Sequence, residues 1–418
     1  MLPVGKFLSG GVAKLNRSIQ QSIDQSTAQE RLLQFLILLA AGCLTTMTGG
    51  LISPVLPEMV DQLSLDPQWA GTLVSIHAFT SAAFTPIMGF VADRVGKMKV
   101  MIPCLMLYAL FGVSTAFLTS LPLLLASRAL LGAASGGVAA ATIGLLGTMY
   151  DGEARSRILG YATSIMTTSA IFFPILGGWV GGIQWQYAFF LYGFGIPLAV
   201  IALFKLREGQ SQAGALLAMD QQAQLGNVFR NFSVLSLYSF IGIAALIVYA
   251  VVIYTPLYLS EAIGAGPELN GIVLAIRLVG AAVISAIGAS RIAQRLGRNR
   301  AISFGFSLMA VTLVTIPFLT DLVLIMLTAI LFGAGFGIIT PNLYDELANL
   351  APDELRATVL AIGTGFNSLG QFVSPVILGP IWKSAGLPAV FYAAGAMAMM
   401  ASLLSLVQSR GERVMDNG

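Results

Sequence analysis

Charge is scarce in this chain. Only 10% of its 418 residues are Asp, Glu, Lys or Arg, against 56% hydrophobic, and the mean hydropathy is +0.84. Soluble domains carry about 25% charged residues, so the composition points to a membrane protein. A formal net charge of +3 is too small an excess to suggest nucleic acid as a partner. Histidine is nearly absent (His77 alone), and the two cysteines, Cys43 and Cys104, both sit inside apolar runs. That scarcity argues against a disulfide framework, a metal centre and histidine-based catalysis. No nucleotide-binding glycine loop appears and no cofactor is expected. None of the 19 acidic residues falls in the middle of an apolar run, so the paired carboxylates a membrane-embedded enzyme would use are missing. Short loops leave no room for the effector domain of a receptor.

What is abundant is long apolar sequence. Twelve segments of about 20 residues follow one another, each long enough to cross a hydrocarbon core of roughly 30 Å as a helix. Their spans are 32–57, 69–92, 100–119, 122–148, 157–180, 185–204, 232–258, 269–290, 301–319, 322–344, 357–381 and 387–408. The organisation read from them is an N-terminal tail (1–31), a six-helix bundle (32–204), a polar linker (205–231), a second six-helix bundle (232–408) and a C-terminal tail (409–418). The tail lacks a spanning run or cleavage site and is expected to be retained. Its Phe7, Leu8, Val12, Leu15, Ile19 and Ile23 recur at helical spacing, which suits either a helix on a membrane surface or a solvated tail. With the termini placed in the cytoplasm, nineteen of the 22 basic residues fall in cytoplasmic segments, and Lys383 alone lies outside. Trp69, Trp179, Trp185 and Trp382 then mark the outer ends of their helices.

The two bundles are copies of each other. An offset of 201 places Gly132 over Gly333, Gly136 over Gly337, Pro174 over Pro375 and Gly178 over Gly379, and an offset of 200 places Pro67 over Pro267 and Gly71 over Gly271. The charged turn from Ala92 to Lys99 returns as Ala293 to Arg300. The fold expected is therefore all-α, with twelve transmembrane helices in two pseudo-symmetric six-helix bundles.

That turn contains Gly89, Asp93, Arg94, Gly96 and Lys97, with Met98 and Lys99 following. It resembles the G-x-x-x-D-R/K-x-G-R/K-R/K loop between helices 2 and 3 of the major facilitator superfamily, and the resemblance extends over about residues 32–408. In that family the loop is a latch for the outward-open state; as plain sequence it is equally a solvated, basic loop. Gln294 stands where the second copy would have Asp, so a mirrored latch is expected to be weaker. Helix 1 ends Pro54-Val55-Leu56-Pro57, and helix 4 carries Leu124, Arg128 and Gly132, both similar to the twelve-helix drug:proton antiporters. Helix 5 offers Gly160, Ser169, Phe173, Pro174, Gly177 and Gly178, a degenerate form of the antiporter motif in which Ser169 and Phe173 replace glycines. With Gly370 and Pro375 on helix 11, these small residues suggest a surface on which the halves approach and slide.

Few ionisable groups enter the membrane, where each costs about 2.5 to 3.5 kcal/mol. His77 and Arg277 are related by the repeat. His77 either carries a coupling proton or is a hydrogen-bonded packing residue. The resemblance assigns Arg128 to proton coupling, the alternative being a structural salt bridge. Arg277 suggests an anionic substrate or a buried structural pair. Asp345 and Glu346 lie at the inner end of helix 10, as proton relay or as solvated charges. Thr45, Thr46, Thr48, Tyr249, Tyr254, Asn342, Asn367 and Gln371 are candidate cavity residues, the last two sharing a helix face. No carboxylate meets a cationic drug in helix 1, so neutral, zwitterionic or anionic amphiphiles are favoured over quaternary cations. The resulting expectation is a monomeric inner-membrane exporter of small organic compounds, working with protons. Uptake or facilitated passage of an organic anion is the rival.

Overall fold

A computed structural model describes residues 29–149, 152–206, 231–352 and 355–416. Most of the expected tails and linker, and Glu354, lie outside the described residues. The first half contains α1 (Gln29–Leu63), α2 (Pro67–Val95), α3 (Lys97–Phe117), α4 (Leu121–Met149), α5 (Gly152–Gly181) and α6 (Trp185–Lys205). The second contains α7 (Phe232–Ile263), α8 (Pro267–Ile287), α9 (Arg298–Phe318) and α10 (Leu322–Leu350). A last helical stretch, Arg356–Asp416, bends at Gly386 (φ 83°) into α11 (356–385) and α12 (387–416). The twelve expected crossings are all present, several of them extending a turn or more past the apolar segment that announced them.

Local chemistry sets the boundaries. Gly96 (φ 109°) joins α2 to α3, and its repeat-mate Gly297 (φ 86°) precedes α9, a backbone region that residues with a Cβ rarely adopt. Asp66 caps the short helix that opens α2 by accepting from Gln68 N, and Asp321 caps α10 through Leu324 N at 3.0 Å. Prolines 57, 86, 103, 174, 256, 341, 375 and 380 sit inside helices. Neighbouring helices make such interruptions tolerable in a membrane.

The duplication is visible in the packing. A Cβ on Gly132 of α4 would strike the His77 carbonyl of α2, and one on Gly333 of α10 would strike the Arg277 carbonyl of α8. One turn on, Gly136 meets Ser81 O while Gly337 meets Ala281 O. Each pair of contacts is the same crossing made twice, with glycine where the backbones touch.

The start of α1 and the end of α12 lie on one side, here called the terminal side. Gln34 bonds the end of α6, and Ser405 bonds Asn299 at the start of α9. On the opposite, distal side the halves close along two seams. At one, Gly71 of α2 packs on Pro375, and Gly379 of α11 meets Gln68 O. At the other, Gly271 of α8 meets Pro174 O, and Gly178 of α5 meets Pro267 O. These contacts also correspond through the repeat. Ser53 donates to Val252 O and Asn270 to Pro54 O (3.4 Å) across the same region. Lys383 donates to Asp66 at 2.7 Å at the distal rim. This bond, with the Gln68 amide, holds the Asp66 carboxyl below the usual range. Toward the terminal side the helices part. In α5, Tyr161, Thr163, Ser164, Ile165, Thr167 and Thr168 are all exposed, so that turn presents both its lipid and its inner face.

Candidate binding cavity between the halves

Between the bundles lies a cavity of about 340 Å³. The first half contributes Thr45, Thr46, Gly49, Gly50 and Ser53 of α1, His77 of α2 and Pro174 of α5. From the second come Val248, Tyr249 and Val252 of α7, Leu274, Arg277 and Leu278 of α8, Phe336 of α10, and Asn367 and Gln371 of α11. Its wall is mainly apolar with a minority of polar groups, and among the described residues it contains no Asp or Glu. Gly49 places a bare stretch of α1 beneath two side chains, since a Cβ there would touch both the His77 imidazole and the Tyr249 hydroxyl. Asn367 and Gln371 do share a face, with Gln371 Nε2 donating to Asn367 Oδ1 at 2.6 Å.

Other expected residues lie elsewhere. Thr48 is fully buried and its hydroxyl donates to Thr45 O at 2.9 Å, so it faces its own bundle. Tyr254 is buried with its ring edge-on to Trp382, 5.8 Å between centroids. Asn342 bonds Ile338 O at 2.7 Å and borders a separate cavity on the terminal side with Gln294, Arg298 and Asp345. Composition cannot fix the rotation of a helix that is apolar on every side, and for these three residues the outcome is a face turned from the cavity. Sequence reasoning also missed Gly49, Gly50 and Ser53. The Gly49-Gly50 pair in an otherwise bulky segment was the available signal.

Arg128 has no exposure, and among the described residues its hydrogen-bond partners include no carboxylate. It donates through Nη2 to Thr48 O (2.6 Å), through Nε to Leu73 O (3.2 Å) and through Nη1 to the Tyr192 hydroxyl (3.1 Å). Tyr192 in turn donates to Thr48 O at 3.0 Å. The guanidinium thus ties α1, α2 and α6 to α4, and the salt-bridge alternative is replaced by neutral oxygens. Arg277 is 5% exposed, and among the described residues nothing bonds its Nε or Nη1. It borders the central cavity on one side and an apolar pocket of about 20 Å³ on the other. That pocket is lined by Val273 and Ala329, which stand where the first half has Leu73 and Arg128.

At the terminal side, Asp93 lies 3.4 Å from Lys97 one turn on, and Arg94 stacks on Phe90 at 4.1 Å from the ring centre. The Lys97 stem packs over Gly144 of α4. In the second half Arg298, the mate of Lys97, reaches Asp345 at 2.5 Å and also Glu346. The expectation of a weaker mirrored turn therefore needs correcting, because Asp345 occupies the place of Gly144 and supplies from α10 the acid that Gln294 removed from the turn. Of the small residues, Pro174, Gly178 and Pro375 lie on the seams between halves. Gly177 meets the Leu51 backbone, Gly370 meets Gly242 O, and Ser169 bonds Thr46 at 3.0 Å, all within one half.

Comparison with known proteins agrees with this architecture. The family model "Major Facilitator Superfamily" matches residues 38–375 and 237–417. "Multidrug resistance protein 2" of Bacillus subtilis (strain 168) is 26% identical over 367 residues, covering 82% of this chain and 88% of the relative. "Quinolone resistance protein NorA" of Staphylococcus aureus (strain COL) is 22% identical over 338 residues, covering 80% and 86%. Among solved structures, a bacterial homologue of the human lysosomal transporter Spinster, inward-facing and occupied, superposes with a TM-score of 0.77 at 16% identity, covering 91% of this chain and 97% of that one. The inward-open xylose transporter XylE from E. coli gives 0.69 at 16% identity, covering 90% and 96%. Two repeated bundles around a seam cavity, together with a family model spanning both, make this chain an integral membrane member of the major facilitator superfamily.

Proposed function

We propose that the protein is a secondary active transporter that exports small amphiphilic organic compounds in exchange for protons. The observation that carries this reading is the cavity itself, which is shared between two bundles that touch distally and part on the terminal side. Rocking one bundle against the other exposes such a site alternately to either side. With the termini in the cytoplasm of a bacterial-type cell, as the basic residues suggest, the structure corresponds to an inward-facing state. The relatives named for multidrug and quinolone resistance support export.

Roles follow from position. His77 is the proton-carrying candidate at the cavity wall, with Asp345 and Glu346 as relay candidates on the terminal side. Arg128 holds α1, α2 and α6 in register. The Gly89–Lys97 turn acts as the latch when the terminal side closes, and Pro174, Gly178 and Pro375 are the surfaces that slide. Uptake or facilitated passage of an organic anion is the second reading, favoured by Arg277.

The test is flux in proteoliposomes under an imposed pH gradient, comparing wild type with His77→Ala, Arg128→Ala and Arg277→Ala. Efflux driven by the gradient and uncoupled by His77→Ala is the expected result. Flux indifferent to the gradient leaves a facilitator.

A further inference from the structure

We propose that Arg277 is the receptor for an anionic headgroup, so that the transported compounds are amphiphiles bearing a carboxylate. This deepens the export reading and rests on it for the fact of transport, while the recognition step stands on the geometry alone.

A guanidinium is a set of five donors in a rigid fork, and it is not neutralised at ordinary pH. Burying one without partners is costly, which is why such groups are usually found bonded. Arg277 is 95% buried, and its Nε and Nη1 reach neither solvent nor a partner. The pocket behind Arg277 is mainly apolar, lined by Val273, Ala329 and Phe332 together with Thr255 and Thr328, and among the described residues none of them bonds its Nε or Nη1. In front, no described residue of the central cavity is acidic.

The side chain stands on the boundary between the two spaces, so a turn about its terminal torsions presents the fork to the cavity. A carboxylate matches that fork with two parallel bonds. The same wall supplies an amide at Gln371 and a hydroxyl at Tyr249 for the headgroup, and Leu274, Leu278 and Phe336 for an apolar body. A cavity of about 340 Å³ is at the small end of the range for organic ligands. The same fixed cation repels a quaternary ammonium.

The test uses purified full-length protein in detergent and a fluorescent series with one ring system: pyrenebutyrate, pyrenebutanol and pyrenebutyltrimethylammonium. Wild type is expected to bind the carboxylate at least about tenfold tighter than the alcohol, with the ammonium weakest. Arg277→Gln brings carboxylate and alcohol within about twofold of each other, and Arg277→Lys keeps part of the preference. A carboxylate preference that survives Arg277→Gln overturns the assignment. So does wild type that binds none of the series, or that binds the ammonium as well as the carboxylate. If Arg277→Gln does not fold, the wild-type order decides by itself. Flux of the same compounds in proteoliposomes separates the two readings. A carboxylate preference in binding without flux overturns export and leaves the receptor; flux of all three without preference does the reverse.

Discussion

In the first half, Arg128 donates to two backbone carbonyls and a tyrosine hydroxyl; in the second, Arg277 stands between the shared cavity and a small, mainly apolar pocket, and among the described residues nothing bonds its Nε or Nη1. Both side chains are buried on copies of one six-helix unit, and among the described residues neither is paired with an acid. The difference is one of position, since Arg277 is the repeat-mate of His77 and Ala329 takes the place of Arg128. Arg128 projects from α4 into the interior of its own bundle, whereas Arg277 projects from α8 at the edge of the shared cavity. One bundle uses its buried arginine for internal cohesion, and the other holds its own at the wall of the cavity between the halves.

Arg128→Met is expected to produce the largest loss, about 3 to 5 kcal/mol, because it strands acceptors in a dry interior and unties three helices at once. Thermal unfolding in detergent measures it. The same substitution at Arg277 is expected to act in the opposite direction, stabilising the ligand-free protein by about 1 to 4 kcal/mol. If Arg277→Met is as damaging as Arg128→Met, the contrast between the halves is wrong. A third comparison is made with matched glycines. Gly132→Ala and Gly333→Ala each force a methyl group against the backbone of the facing helix, and each should cost about 1 to 3 kcal/mol, with similar values showing that the crossings are equivalent.

The terminal-side charges give a smaller effect. Asp345→Asn with Glu346→Gln removes both partners of the half-buried Arg298 and should cost up to about 1 kcal/mol. Lys97→Gln in the first half loses the contact with Asp93 at 3.4 Å and should cost less. Smallest is the distal rim. Lys383 depresses the Asp66 carboxyl, so the bond contributes fully above about pH 4 and is lost as the pH falls from there through the lowered folded-state value. Thiol labelling of a cysteine placed at Gln68 should become slightly faster in Lys383→Ala at neutral pH. In wild type it should rise only under strong acid.

How much of this was legible depended on which atoms carry the interaction. The duplication, the twelve crossings and the turn at Gly96 were readable because apolar length and glycine leave their mark in side-chain identity. His77, Arg277, Asn367 and Gln371 were found for the same reason, as polar residues out of place. The partners of Arg128 were not readable, since Leu73 and Thr48 accept through main-chain oxygens, and every residue has one of those. Thr48, Tyr254 and Asn342 were misplaced because a helix without a polar face gives no clue to its rotation. Asp345 was read as a proton relay or a solvated helix-end charge, and the structure pairs it with Arg298, near the position where Gln294 lacks an acid. Only a spatial view joins two helices that are distant in the chain.

The distal seams also bear on how abruptly the molecule changes state. Apart from the exposed Asp66–Lys383 pair and the Ser53–Val252 and Asn270–Pro54 hydrogen bonds, their closest contacts are glycines, with Gly178, Gly271 and Gly379 lying directly on main chain and Gly71 on the Pro375 and Ile253 side chains. Dispersion contacts of that kind lose roughly a quarter to a half of their strength over the first 0.5 to 1 Å of separation. Once the bundles begin to move apart there is little residual attraction to hold them half open. The motion is therefore expected to resemble a snap between two end states rather than a graded hinge.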